Sequence, residues 1–140
     1  MQQFNITKQG MATQASKIAK DLKCGDVILL YGNLGVGKTF MTNKICAYLD
    51  VKNIVNSPSY VLLNEYEGRF KIFHYDLYRL SSPEEAMELG IIDSLHEGIT
   101  FIEWPELIQD YLPKNRIEIY LEHNDKNRNM RIVNTTIPSK

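Results

Sequence analysis

Apolar positions follow two periods along the chain, and the changes from one to the other lay out its elements. Met11, Ala15, Ile18, Ala19 and Leu22 recur at helical spacing, which gathers them on one stripe and predicts a helix ending before Gly25. After the turn Gly25-Asp26, the run Val27-Ile28-Leu29-Leu30 has the length and continuity of a strand buried on both faces. A second helix is expected over 38–49, with Phe40, Ile45, Ala47, Tyr48 and Leu49 supplying buried contacts. Phe4-Asn5-Ile6 reads as a short edge strand, and strands over 60–65 and 70–75 flank a hairpin-like turn at 65–69.

Further along, Ser82-Pro83-Glu84-Glu85 marks a helix start, with Ser82 as N-cap, Pro83 in the first turn and Glu85 available for the reciprocal capping bond. Gly90 stops it. A short helix around 93–97 precedes the buried strand Ile99-Thr100-Phe101-Ile102, and Pro105 starts a helix expected to run to Tyr111. Residues 116–121 and 130–133 alternate polar and apolar across the polar turn Asn124-Asp125-Lys126-Asn127, which predicts a closing hairpin.

At 140 residues, 44% of them hydrophobic and 24% charged, the chain suits one domain with a real core and leaves little for a separate lid. A net charge of −1 argues against a sequence-wide attraction to nucleic acid, so any RNA role would run through a partner. Cys24 and Cys46 lack zinc or C-x-x-C spacing and read as reduced, partly buried thiols. No leader-like N-terminus and no membrane-length apolar run is present, so a cytoplasmic protein is expected.

The chemistry starts at the end of the first buried strand. Gly32-Asn33-Leu34-Gly35-Val36-Gly37-Lys38-Thr39-Phe40 carries the P-loop pattern G-x-x-x-x-G-K-[ST] between a strand and a helix. Glycines let backbone N–H groups curl towards phosphate oxygens, and the helix start adds its positive dipole end. Lys38 can reach the β- and γ-phosphates, while the Thr39 hydroxyl can ligate Mg²⁺ shared with them. Phosphoryl chemistry also needs a carboxylate at the end of a neighbouring strand. Two residues qualify: Glu103 after Ile99-Thr100-Phe101-Ile102, the stronger candidate on the metal side, and Asp76 after Ile72-Phe73-His74-Tyr75. Asp76 would orient the attacking water or sense the γ-phosphate, or else simply pair with Arg79. Ser57-Pro58-Ser59-Tyr60 reads as a loop opening a strand or as a nucleotide-sensing loop, Trp104 as core filling or a cap on the site, and His74, His96 and His123 as structural. Asn124-Asp125-Lys126-Asn127 is not the base-reading N-K-x-D motif of GTP sites, which favours ATP. The fold class implied is α/β: a single P-loop NTPase domain over 1–140 with a mostly parallel central sheet, flanking helices and antiparallel edge strands.

Several segments together resemble the TsaE (YjeE) family of small P-loop ATPases: the P-loop itself, Asn56-Ser57-Pro58-Ser59-Tyr60, Asn64-Glu65-Tyr66, His74-Tyr75-Asp76-Leu77-Tyr78-Arg79-Leu80, Glu88-Leu89-Gly90 and Ile102-Glu103-Trp104-Pro105-Glu106. The resemblance implies a part in making threonylcarbamoyladenosine (t6A) in tRNA, with weak ATP hydrolysis exercised on a TsaD-TsaB complex. It implies phosphate and Mg²⁺ at Lys38 and Thr39, the acidic metal-side role at Glu103, importance for Asp76 and a basic residue near the nucleotide at Arg128. Ser59 stands where the family usually has Thr, and Asn33 where it usually has Asp. Two rivals are compatible with the P-loop alone. A small-molecule kinase would need a lid arginine, yet 81–97 holds no Arg or Lys; a non-catalytic nucleotide-gated binding module would use the 57–60 loop to change partner affinity.

Overall fold

The computed structural model describes residues 2–53, 55–58, 60–123 and 128–135. In chain order these form β1 (Gln2–Ile6), α1 (Lys8–Asp21), β2 (Val27–Tyr31), α2 (Lys38–Tyr48), β3 (Leu63–Glu67), β4 (Lys71–Asp76), α3 (Pro83–Met87), α4 (Ile91–Ser94), β5 (Ile99–Glu103), β6 (Ile117–His123) and β7 (Arg128–Asn134). Their strands make one seven-stranded sheet in the order β1-β7-β6-β2-β5-β4-β3. The central strands β6, β2, β5 and β4 are mutually parallel, and antiparallel pairs finish both sides. This is the expected α/β sheet with a parallel centre.

The alternation of side chains along β2 builds both halves of the core. Ile28 and Leu30 point to one face, where Met11, Ala15 and Ala19 of α1 and Met41, Ile45 and Cys46 of α2 cover them. Val27, Leu29 and Tyr31 point to the other, beneath Ala86, Ile91, Leu95 and Ile108. With helical cover on both faces the strand never meets water, which is why its sequence is apolar without alternation. The carboxyl ends of β2, β4 and β5 consequently share one edge, with Leu30 in register with Glu103 and Glu103 with Asp76.

Several expected boundaries move. Tyr60 and Val61 are exposed, and the Leu62 N–H bonds back to the Pro58 carbonyl with Leu62 at φ +69, so a turn delays β3 to Leu63. The segment expected as a helix from Pro105 to Tyr111 is instead two 3₁₀ turns, Pro105–Leu107 and Gln109–Tyr111. Its closing bonds span three residues, from the Ile108 N–H to Pro105 and from the Tyr111 N–H to Ile108, as suits a stretch too short to nucleate an α-helix before Pro113. The short helix expected at 93–97 lies at Ile91–Ser94, entered through Gly90 at φ +80. On α2 the buried stripe is Met41, Thr42, Ile45 and Cys46, continued by Leu49; Ala47 and Tyr48 fall on the opposite side and are exposed. Both thiols are free, but Cys24 is exposed rather than partly buried. The expected polar turn at 124–127 lies outside the described residues.

Candidate functional site

The P-loop is bent into shape at its glycines. Gly32, Gly35 and Gly37 have φ of +146, +77 and +114, a region that residues with a Cβ rarely enter. Gly37 serves as the left-handed N-cap of α2, which turns the first helical residues, Lys38 and Thr39, towards the sheet edge. A cleft of about 320 Å³ opens there, lined by Leu34, Gly35, Gly37, Lys38, Thr39, Phe40, Ser57, Asp76, Glu103 and Trp104. Glycine loop, lysine, threonine and both candidate carboxylates therefore face one space. Val36 is buried beneath the loop, and Asn33 is exposed, its carbonyl accepting from the Val36 N–H.

Lys38 is only 4% exposed. Its ammonium group donates to the Gly32 carbonyl and lies 3.7 Å from the Trp104 ring centre. Burial pushes its pKa below the usual lysine value, while Glu103, Asp76 and Glu106 partly offset that. Trp104 thus does more than fill core: it packs against Tyr78 with the ring centres 4.8 Å apart and the planes tilted by 45°, and forms one wall of the cleft. It takes φ +56, an uncommon conformation for a bulky residue.

Glu103, 3% exposed at the end of β5, gathers two donors on one oxygen. Its Oε2 accepts from the Thr39 hydroxyl at 3.0 Å and lies 2.6 Å from His74 Nε2. Asp76, 2% exposed, accepts from the Tyr78 N–H at 3.0 Å and from the Ser57 hydroxyl at 3.4 Å. Ser57 belongs to the loop with two readings, and here it touches the site. Arg79 packs its guanidinium 4.2 Å above the exposed Tyr60 ring.

His74, read from the sequence as structural, is fully buried and is brought against Glu103. A period-2 count along β4 places His74 on the same face as Asp76, but neither the pairing of β4 with β5 nor the register that brings His74 to Glu103 is written in the local sequence. A second cleft of about 300 Å³ lies on the other side of Gly32, lined by Tyr31, Gly32, Tyr120, Leu121, Glu122, Asn129, Met130 and Arg131. Tyr31 and Tyr120 stack there at 4.4 Å, with the Arg131 guanidinium 3.8 Å over Tyr120. Arg128 opens β7 one residue before Asn129, opposite His123, though its side chain lies outside the described residues.

Residues 6–132 match the profile of the family described as threonylcarbamoyl adenosine biosynthesis protein TsaE. A protein of Rickettsia conorii named tRNA threonylcarbamoyladenosine biosynthesis protein TsaE is 43% identical over 118 residues, covering 83% of this chain and 67% of its own. A protein of the same name from Rickettsia bellii is 43% identical over 124 residues, covering 87% of this chain and 85% of its own. Among solved structures, the crystal structure of Bacillus subtilis YdiB superposes with a TM-score of 0.78 at 27% identity, over 96% of this chain and 86% of that one.

Proposed function

The chain belongs to the TsaE family, and from that premise we propose that it is the ATP-binding and ATP-hydrolysing member of the machinery that installs t6A in tRNA. The observation carrying this reading is the meeting of the Thr39 hydroxyl and the Glu103 carboxylate at 3.0 Å beneath the glycine loop. A hydroxyl paired with a strand-end carboxylate is the oxygen set that Mg²⁺ uses when phosphates supply most of its remaining shell. Thr39 would hold the metal directly through its hydroxyl, and Glu103 would hold it through water. The metal held there would supply charge neutralisation at the phosphates.

The remaining roles belong to the chain's own groups. The backbone N–H groups of 35–39 hold the phosphates, and Lys38 exchanges its bond to the Gly32 carbonyl for a charge-assisted one to phosphate oxygen. Asp76, held by Tyr78 and Ser57, orients the attacking water. The nucleoside extends past Gly32 towards the cleft walled by Tyr31, Tyr120 and Arg131, with Arg128 at its rim. Hydrolysis is weak in the isolated chain and supports turnover once it is docked on TsaD-TsaB in the cytoplasm.

A reconstituted t6A assay containing TsaD, TsaB, tRNA and this chain tests the reading. Glu103→Gln keeps the side chain's size and loses its charge, so it is expected to retain ATP binding while tRNA-modifying turnover falls by about 10²-fold, the scale of losing one group that stabilises transition-state charge. Wild-type turnover with Glu103→Gln would contradict it.

A further inference from the structure

Behind Glu103 a line of polar groups that the phosphate site does not itself require runs from the buried His74 and Tyr66 out to the exposed Asn56. His74 is fully buried on β4, and its Nε2 lies 2.6 Å from Glu103 Oε2. On the opposite side of the ring, Nδ1 lies 3.5 Å from the Tyr66 hydroxyl, and that hydroxyl donates at 3.3 Å to the Asn56 carbonyl. Asn56 also accepts from the Asn64 side chain at 3.3 Å. It directly precedes Ser57, whose hydroxyl reaches Asp76.

We propose that His74 is a positioning residue that ties the placement of the Glu103 carboxylate to the 55–58 loop through Tyr66. The proton inventory explains why the line transmits anything. A carboxylate only accepts, so an Nε2–H donates to Glu103, and in the tautomer this selects Nδ1 is the ring's acceptor towards Tyr66. The Tyr66 hydroxyl has one proton and two acceptors within reach, Nδ1 of His74 and the Asn56 carbonyl. Movement of Asn56 changes how that proton is shared, and with it the bond holding the ring that holds Glu103. Burial of His74 and Tyr66 sharpens the effect at the ring, where a lost partner is not readily replaced by water, while the exposed Asn56 is the end that is free to respond to the loop. The same loop touches Asp76 through Ser57, so one displacement is felt by both carboxylates.

This inference rests on the reading of Glu103 as part of the nucleotide site, and the experiment separates the two. ATP hydrolysis by the full chain with TsaD and TsaB is measured for wild type, His74→Phe and His74→Gln, and ADP affinity is read from the fluorescence of Trp104, the one tryptophan of the chain. His74→Phe removes both ring nitrogens and is expected to lower kcat about tenfold or more while ADP affinity stays within about threefold. His74→Gln, which keeps an N–H directed at Glu103, should recover most of that loss. Unchanged kcat in His74→Phe, or equal loss of kcat and affinity in both variants, overturns the proposal. Nitrogen NMR of the His74 ring in the nucleotide-free chain needs no catalysis: Tyr66→Phe and Glu103→Gln should each shift the ring signals. A ring indifferent to Tyr66→Phe refutes the linkage even if the ATPase stands. A responsive ring in a chain that never hydrolyses ATP keeps the linkage and sinks the nucleotide-site reading.

Discussion

Gly32 shows how much the site depends on single atoms. It ends β2's run into the loop at φ +146, and a Cβ built there would lie 2.7 Å from Val36 Cγ1 and closer still to the Leu121 carbonyl. Neither neighbour yields easily, because Val36 is buried and the Leu121 carbonyl is backbone of β6. Gly32→Ala is therefore expected to destabilise the protein by about 1–3 kcal/mol, the usual scale of overpacking, seen as a lower urea midpoint at unchanged slope. An unaltered midpoint would mean that the loop is not packed as described. Residues of this kind are legible in the sequence because a glycine at a fixed place in a phosphate loop has a geometric reason to be there. Lys38 and Thr39 are legible for the same reason, and Glu103 because an apolar run ending in a carboxylate marks a strand end. The contacts of His74 were not, and the sequence could not choose between the two readings of Trp104, because each depends on a partner far along the chain, Glu103 for the one and Lys38 for the other.

At the scale of elements, caps and breakers read well and weakly held segments read poorly. The start of α3 behaves nearly as its four letters predict: the Ser82 hydroxyl accepts from the Glu85 N–H. The return bond differs by one residue, since Glu85 Oε1 accepts from the Ser81 N–H and from the Ser81 and Ser82 hydroxyls. Bonds from the Ser81 backbone and side chain hold the Glu85 carboxyl below its ordinary value of 4.5. A depressed folded-state value means that the unfolded chain binds the proton more readily. The charged form consequently adds stability above pH 4.5, and that contribution is lost as pH falls through the lower folded value. Thermal melts of wild type and Glu85→Gln should differ at neutral pH, with wild type the more stable, and converge in acid; a gap that persists or widens in acid would refute the assignment. By contrast, the 3₁₀ turns after Trp104 and the late start of β3 were illegible, because both depend on backbone bonds rather than side-chain periodicity.

For the molecule as a whole, the legible feature was the class of sheet. A continuous apolar β2 demanded cover on both faces, and α1 and α2 on one side with α3, α4 and the 3₁₀ turns on the other provide it. Strand order was not legible, since nothing local says that β6 rather than β4 lies beside β2. That order matters, because it sets β5 between β2 and β4 and so brings the P-loop, Glu103 and Asp76 to one edge. No helix among the described residues is long and apolar enough to cross a membrane.

The central claim is that this edge binds a magnesium nucleotide through the loop, Lys38 and Thr39, with Glu103 serving turnover. Calorimetric titration of ATP with Mg²⁺ into wild type and Lys38→Ala tests it most directly. Loss of a charge-assisted hydrogen bond costs about 1.5–3 kcal/mol, so affinity should weaken about tenfold or more in the variant. Equal affinity in the two proteins would contradict the account.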